Sequence, residues 1–262
     1  MLFDTHAHLA DEAIYPNLEA ILGSAAKSKV ERILCVGTTV ESSRRGIEIA
    51  HSSRWSPKVY ASVGIHPNYA NQATSDDWNQ IVLLSQEKGV IALGETGLDK
   101  HWDDCPWSVQ LENLNRHWEL SFETRLPVIL HSRDCELEML EELEKTQERF
   151  QRPLHGVMHS FVGQLSTAKR CLELGLYISF AGMVTFKKSE DLRAVAAQIP
   201  ADRILIETDS PYLTPEPHRG RRPNTPSNVV YTAECIAKSR GCSLSEMAKI
   251  TSRNAKSLFS VD

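Results

Sequence analysis

The sequence predicts a (β/α)8 barrel of the TIM type, formed by a single domain over residues 1–262. Eight short apolar runs alternate with longer segments whose apolar residues recur at helical spacing. Each of the first seven gaps is long enough for the right-handed crossover that joins two parallel strands. A doubly wound open sheet is the alternative, but the first run is not followed by the glycine-rich turn typical of that fold.

The predicted strands consist mainly of Val, Ile and Leu. They span residues 2–6, 32–37, 59–66, 90–95, 127–131, 156–159, 176–180 and 203–207. A capping signal at 75–77 begins a predicted helix that ends at Gly89. The segment 108–125 has apolar residues three or four apart, which predicts an amphipathic helix. Two further helices are predicted after the last strand, at about 226–239 and 243–259. The irregular insertions are 101–106 and 214–226.

The composition is that of a globular protein, with 41% hydrophobic and 24% charged residues. Proteins that coat nucleic acid are usually basic, whereas the net charge here is −5, so phosphate contacts must come from a local patch or from bound cations. The apolar runs are too short to span a bilayer, and the first residues lack the positive region of a signal peptide. The six cysteines form no C-x-x-C pair and are interpreted as free thiols. We therefore expect a cytoplasmic protein with neither a membrane contact nor an obligate protein partner.

Histidines and carboxylates follow six of the eight apolar runs. In a TIM barrel the carboxyl ends of the strands form the active-site face, so these side chains are expected to lie together. A single histidine at a strand end is usually structural, but the convergence of several such residues favours a metal site. The residues concerned are His6, His66, Glu95, His131, His159 and Asp209.

Their spacing indicates how cations would be shared. His6 and His8 are two residues apart, so strand alternation directs both imidazoles to one ion. Glu95 lies in a glycine-flanked segment and can bridge two cations. His131 and His159 end adjacent strands and can share a second ion. Ordinary polar strand ends, a helix cap or an ion pair are the alternative interpretations of these residues.

Asp209 ends the last strand, where a carboxylate can serve both as a metal ligand and as the general base that accepts a proton from water. Glu207, on the same strand, is expected to face the barrel interior beside it. The donor set contains no thiolate and suits Zn²⁺, Mn²⁺, Fe²⁺ or Co²⁺, or Mg²⁺ with water completing its coordination. Three other histidines are expected on solvated helices or loops: His51, His101 and His117.

A basic stretch at 218–224 follows the eighth strand, in the region where barrels often bind phosphate. We expect Arg221 and Arg222 to contact substrate phosphates there, although a solvated loop is the simpler interpretation. His66 and Arg133, which follow the third and fifth strands, are expected to contact substrate for the same geometric reason.

Six motifs in order resemble those of the TatD family of metal-dependent hydrolases, within the amidohydrolase-like barrel superfamily. They are DTHAHL at 4–9, GIHP at 64–67, GETGLD at 94–99, PVILHSRD at 127–134, GVMHSFVG at 156–163 and ETDSPYL at 207–213. The resemblance covers nearly the whole chain and implies a distorted TIM barrel with two divalent cations, expected to be Mg²⁺, Mn²⁺ or Zn²⁺. It implies one ion on His6, His8 and Asp209, a second on His131 and His159, and Glu95 as the bridge.

Three positions depart from the common family pattern. Asn68 stands where a second histidine often follows GIHP, Lys100 where an aromatic residue often follows GLD, and Ser160 where a cysteine is frequent. None of the three is a predicted ligand, and the first two concern substrate preference.

Several family members are similar to magnesium-dependent deoxyribonucleases. We therefore expect an enzyme that hydrolyses ester bonds, with the ends of single-stranded DNA as substrate and Asp209 and Glu95 as its catalytic residues. The alternative is an amide, ester, lactone or aminoacyl hydrolase that acts on a small substrate at the same site, which the net charge of −5 favours. A barrel without activity that serves as a binding module is the third hypothesis, and the complete ligand set argues against it.

Overall fold

The computed structural model describes residues 1–52 and 56–262, and its eight parallel strands follow one another in chain order around a barrel. The strands are β1 (Leu2–Ala7), β2 (Val30–Cys35), β3 (Lys58–Val63), β4 (Val90–Asp99), β5 (Val128–Arg133), β6 (Gly156–Met158), β7 (Tyr177–Phe180) and β8 (Ile204–Ile206). The predicted (β/α)8 barrel is confirmed.

Helices alternate with the strands, and two additional helices follow β8, as the helical periodicity predicts. In the described ranges the α-helices are α1 (Leu18–Lys27), α2 (Val40–His51), α3 (Ser75–Leu84), α4 (Trp107–Thr124), α5 (Glu136–Phe150), α6 (Leu165–Glu173), α7 (Glu190–Gln198), α8 (Val229–Ser239) and α9 (Leu244–Phe259). The loop after β8 enters α8 through a short 3-10 turn at Pro226–Asn228.

The bounds of β4 differ from the prediction, which ended this strand at Glu95. The strand continues to Asp99 because its ladder with β5 continues, with Gly97 opposite His131. Gly97 has a φ of +147°, and a Cβ there would lie 2.0 Å from the carbonyl oxygen of His131. Only glycine allows this approach, so Gly97 permits the strand to continue past Glu95.

Two register irregularities lie where the polar residues begin. Between Asp4 and Ala7, β1 has one more residue than the facing segment of β2. Between Leu93 and Thr96, β4 likewise has one more residue than β5. An extra residue of this kind bends a strand and redirects a side chain. Both irregularities lie on the part of the strand that carries a predicted metal ligand.

Helix α4 fixes the loop after β3 through two buried polar side chains. Asn113 Nδ2 donates to the carbonyl of Ile65 (2.7 Å), and His117 Nε2 accepts the N–H of Ile65 (3.2 Å). The expectation that His117 is solvated is therefore wrong: the side chain is fully buried, and burial lowers its pKa to about 4. This pair of contacts positions the backbone immediately before His66.

Apolar residues of the strands and helices form the core, and the largest of its fully buried side chains is Trp118 of α4. All six cysteines are unpaired, four of them buried. Among the described residues, we find no helix with the length and apolar character needed to cross a membrane.

The seam between β8 and β1 is joined by a side chain rather than by a continuous ladder. The backbone contributes one isolated bridge, Ala7 to Ser210. Deeper in the barrel, the buried carboxylate of Asp4 accepts the backbone N–H of Thr208 (2.9 Å) and its hydroxyl (2.6 Å). Asp4 therefore supplies acceptors where an eighth ladder, between β8 and β1, would have supplied carbonyl groups.

We predict that Asp4→Leu destabilises the fold by about 1–3 kcal/mol, because the buried N–H of Thr208 loses its acceptor. Asp4→Asn keeps a carbonyl oxygen for that N–H and should cost less. Urea unfolding of the two variants checks this difference. Equal free energies of unfolding for Asp4→Leu and Asp4→Asn would show that the seam between β8 and β1 does not depend on the acceptor that Asp4 supplies.

Candidate metal centre

Six side chains, which we call the donor cluster, converge at the carboxyl end of the barrel. They are His6 on β1, His8 just after it, Glu95 on β4, His131 on β5, His159 after β6 and Asp209 after β8. The barrel thus brings together all six residues predicted as ligands. His6, Glu95 and His159 are buried, and the others are partly accessible.

In one half of the donor cluster, His6, His8 and Asp209 offer ligand atoms close enough to share one ion, and Glu95 approaches both imidazoles. His6 Nε2 lies 3.3 Å from His8 Nε2, 3.4 Å from Glu95 Oε2 and 3.7 Å from Asp209 Oδ1. His8 Nε2 lies 3.3 Å from Asp209 Oδ1 and 3.7 Å from Glu95 Oε2. Two ligand atoms at tetrahedral positions about 2.1 Å from one cation are about 3.4 Å from each other. The spacing therefore fits a divalent cation.

The other half is built on the second oxygen of Glu95. Its Oε1 lies 2.8 Å from His159 Nε2 and 3.0 Å from His131 Nδ1. His66 Nε2 approaches the same oxygen at 3.6 Å. Glu95 therefore has one carboxylate oxygen directed at each half of the donor cluster, which is the arrangement that a bridging ligand requires.

Buried carboxylates hold the outward nitrogens of the two histidines in this second half. Asp99 Oδ2 lies 2.9 Å from His131 Nε2, and Glu207 Oε1 lies 3.2 Å from His159 Nδ1. Such contacts fix the ring orientation and leave the inward nitrogen free to bind a metal. Sequence analysis placed Glu207 near the site but missed Asp99. The signal was available, since Asp99 lies four residues after Glu95 within one motif and strand alternation puts both on one face.

His66 differs from the six donors in its tautomer. Its Nδ1 accepts the backbone N–H of Asn68 (3.2 Å), so the proton of the neutral ring resides on Nε2. Burial lowers the pKa of His66 to about 3, so the ring is neutral around pH 7. The side chain therefore presents an N–H donor to the site, which suits contact with a substrate oxygen. Contact with substrate is the role predicted for it and stays a prediction, since His66, Glu95 and His131 also lie close enough together to hold an ion.

Charge compensation within the donor cluster is mutual. Burial opposes ionisation of Glu95, but the surrounding imidazoles, His159 foremost, hold its pKa well below the usual range. Burial also disfavours a charged His159, yet Glu95 and Glu207 raise the pKa of that ring well above its usual value. Burial would raise the pKa of Asp209, and His8 and His6 lower it instead. Both carboxylates are thus ionised at neutral pH and available to a cation.

The backbone at Asp209 is held in an unusual conformation. Its φ is +55°, in the left-handed region that aspartate and asparagine tolerate better than most residues. The N–H of Asp209 donates to the carbonyl of His6 (2.9 Å), and Tyr212 N–H donates to the carbonyl of Asp209 (2.8 Å). These bonds aim the carboxylate back at the ring of His6.

The predicted phosphate-binding arginines lie outside the donor cluster. Arg133, Arg221 and Arg222 are exposed, and none forms an ion pair with a carboxylate in the described part of the chain. The Arg133 guanidinium packs 5.7 Å from the ring centre of Trp102. All three remain available to a substrate on this face, and their contact with it stays a prediction.

Known proteins that are similar to this chain are named as metal-dependent hydrolases or TatD homologues. The family model described as "TatD related DNase" matches residues 3–260. An uncharacterised metal-dependent hydrolase, YabD of Bacillus subtilis, is 41% identical over the whole of both chains. Another, YcfH of Escherichia coli K12, is 37% identical over 100% of this chain and 96% of its own. The solved structure of YJJV, a TatD homologue from Escherichia coli, superposes with a TM-score of 0.91 at 29% identity, over 100% of this chain and 98% of that one.

We predict that Asp99→Asn weakens binding of one divalent cation by about 10- to 100-fold, because the amide holds His131 less firmly than the carboxylate does. Asp134→Asn is the matched control, since Asp134 contacts an exposed histidine, His101, at the same 2.9 Å distance outside the donor cluster. Metal titration followed by calorimetry measures both variants. An Asp99→Asn protein that binds metal as tightly as the control would contradict the positioning role.

Proposed function

Because the chain belongs to the TatD family of metal-dependent hydrolases, we propose that it is a deoxyribonuclease that hydrolyses phosphodiester bonds of single-stranded DNA. The observation that carries the proposal is the placement of Glu95 between two sets of donors. A carboxylate that serves two neighbouring cations suits a reaction in which the attacking and leaving oxygens both develop charge.

The fit of the donor set supports two divalent cations. Nitrogen and oxygen ligands without sulfur suit Zn²⁺ or Mn²⁺, and Mg²⁺ where water completes the coordination. His6, His8 and Asp209 would hold one ion, His131 and His159 the other, and Glu95 would bridge them. When bound, such cations polarise phosphoryl oxygens and make water a stronger acid.

The protein's own residues then have separate tasks. Asp209, which is ionised at neutral pH, accepts a proton from water as the water oxygen bonds to phosphorus. The ester P–O bond breaks, and the leaving oxygen departs as a hydroxyl group after taking up a proton from Asp209 or from solvent. His66 donates its Nε2–H to a phosphoryl oxygen. Arg221 and Arg222 hold a neighbouring phosphate of the strand, since guanidinium groups pair well with phosphate oxygens.

The second candidate is hydrolysis of a small acyl substrate, such as an amide, ester, lactone or aminoacyl group. The net charge of −5 favours it, because a polyanionic substrate is repelled at long range by an acidic protein. Hydrolysis assays on single-stranded DNA and on acyl substrates, after chelation and readdition of Mg²⁺ or Mn²⁺, separate the two. Metal-dependent turnover of acyl substrates alone would overturn the nuclease proposal.

We predict that Asp209→Asn lowers kcat for DNA hydrolysis by at least about 100-fold, since the amide cannot accept the proton. Asparagine also tolerates the left-handed backbone at this position, so the fold should be retained. Steady-state kinetics with metal at saturation measures the effect. Turnover near that of the wild type would show that Asp209 is not the general base, and Glu207 would be the next candidate.

We predict that replacing Arg221 and Arg222 by alanine raises KM for DNA more than it lowers kcat. Each lost phosphate contact should flatten the log–log dependence of binding on salt by about 0.7, so the double variant should differ by roughly one to two. The matched control replaces Arg152 and Arg253, two exposed arginines away from the site, and removes the same charge. If the log–log dependence of DNA binding on salt were identical in both double variants, Arg221 and Arg222 would not be the residues that contact phosphate.

A further inference from the structure

Exposed apolar side chains concentrate on the rim of the barrel, which we define as the segments that follow the carboxyl ends of the strands. Eight large hydrophobic residues are exposed in the described ranges, and two of them, Met1 and Leu83, lie elsewhere. The six on the rim are Tyr15, Tyr69, Trp102, Leu137, Val162 and Tyr212. Exposed apolar surface gathered on one functional face usually marks a binding surface.

Two of these aromatic rings contact histidines at opposite ends of the site. The Tyr212 ring centre lies 6.0 Å from that of His8, and Tyr69 lies 5.8 Å from His66. His8 approaches Oε2 of Glu95, and His66 approaches Oε1. One tyrosine therefore stands at each end of the donor cluster, with 48% of Tyr212 and 43% of Tyr69 exposed.

The local structure holds the Tyr212 side chain and the backbone that carries Tyr69. The Tyr212 hydroxyl lies 3.3 Å from Asp11 Oδ2, and Asn224 Nδ2 donates to the Tyr212 carbonyl (2.6 Å). Tyr69 belongs to the 3-10 turn Pro67–Tyr69, and its N–H donates to the carbonyl of His66 (2.9 Å). Rings that are already ordered lose little entropy when a planar ligand stacks on them.

We propose that Tyr69 and Tyr212 bind the nucleobases on the two sides of the phosphodiester bond that is hydrolysed. This inference rests on the proposed deoxyribonuclease function and assigns to that site the unpaired bases of single-stranded DNA. Every nucleobase has a π-face, so stacking on tyrosine adds affinity without sequence preference. Bases within a duplex are already stacked on one another and are not available to the two rings.

The test compares two polymers of equal length and charge: a single-stranded oligodeoxynucleotide, and one in which every nucleoside is replaced by an abasic tetrahydrofuran unit. Stacking contributes about 1–3 kcal/mol per base, so Tyr69→Ala and Tyr212→Ala should each raise KM for the base-bearing polymer by about 5- to 150-fold. Neither substitution should change KM for the abasic polymer. Tyr69→Phe keeps the ring and should behave as the wild type does. Tyr212→Phe keeps the ring but loses the contact with Asp11, so it should raise KM less than Tyr212→Ala does.

Tyr15→Ala is the matched control, because Tyr15 is exposed on the same rim but packs against Arg45. It should leave both KM values unchanged. If the tyrosine-to-alanine variants raised KM equally for both polymers, the stacking role alone would be overturned. The same would follow if the wild type had the same KM for the base-bearing and the abasic polymer. Failure of the wild type to hydrolyse either polymer with Mg²⁺ or Mn²⁺ would overturn the proposed nuclease function and, with it, the stacking role.

Discussion

The buried negative charge of Glu95 is the constraint on which the arrangement of the other parts depends. An ionised carboxylate in a barrel interior is strongly unfavourable unless opposite charge or hydrogen-bond donors surround it. Glu95 obtains them from imidazoles on β1, β5 and the segment after β6, so these strands must meet at fixed distances. The carboxylate of Glu95 lies between the two groups of donors. Its position depends on the extra residue in β4 and on the close approach of Gly97 to the His131 backbone.

Rigidity around the site comes from a second layer of polar groups, in which the carboxylates of Asp99 and Glu207 are each held by several donors. Asp99 accepts bonds from His131 and from the side chain of Asn68 (3.2 Å). Glu207 accepts the hydroxyl of Ser179 (2.5 Å) and the N–H of Ser160 (2.7 Å) as well as facing His159. A polar network of this kind is stable only when each member has its partners. Asn68, which departs from the usual family residue, is therefore part of the support of a predicted ligand.

Sequence reasoning predicted the fold and the donors because both follow from periodic patterns. Alternating runs imply a parallel barrel, and its geometry places strand-end residues such as His6 and Asp209 on one face although they are far apart in the chain. The supporting residues were harder to predict. Asp99 was missed because the predicted fourth strand ended at Glu95, whereas the strand continues to Asp99. His117 was assigned to a solvated helix face, since no periodicity reveals that its ring accepts a single backbone N–H from Ile65.

The donor cluster joins the first strand to the segment after the last one, and this has a consequence for how the protein acquires its metal. A ribosome produces His6 and His8 long before Asp209, with about 10–40 s between them at about 5–20 residues per second. Throughout that interval the early histidines lack their partner carboxylate, so the set His6, His8 and Asp209 is incomplete. A cation can therefore meet the complete donor cluster only after the last strand has been made and the barrel has closed.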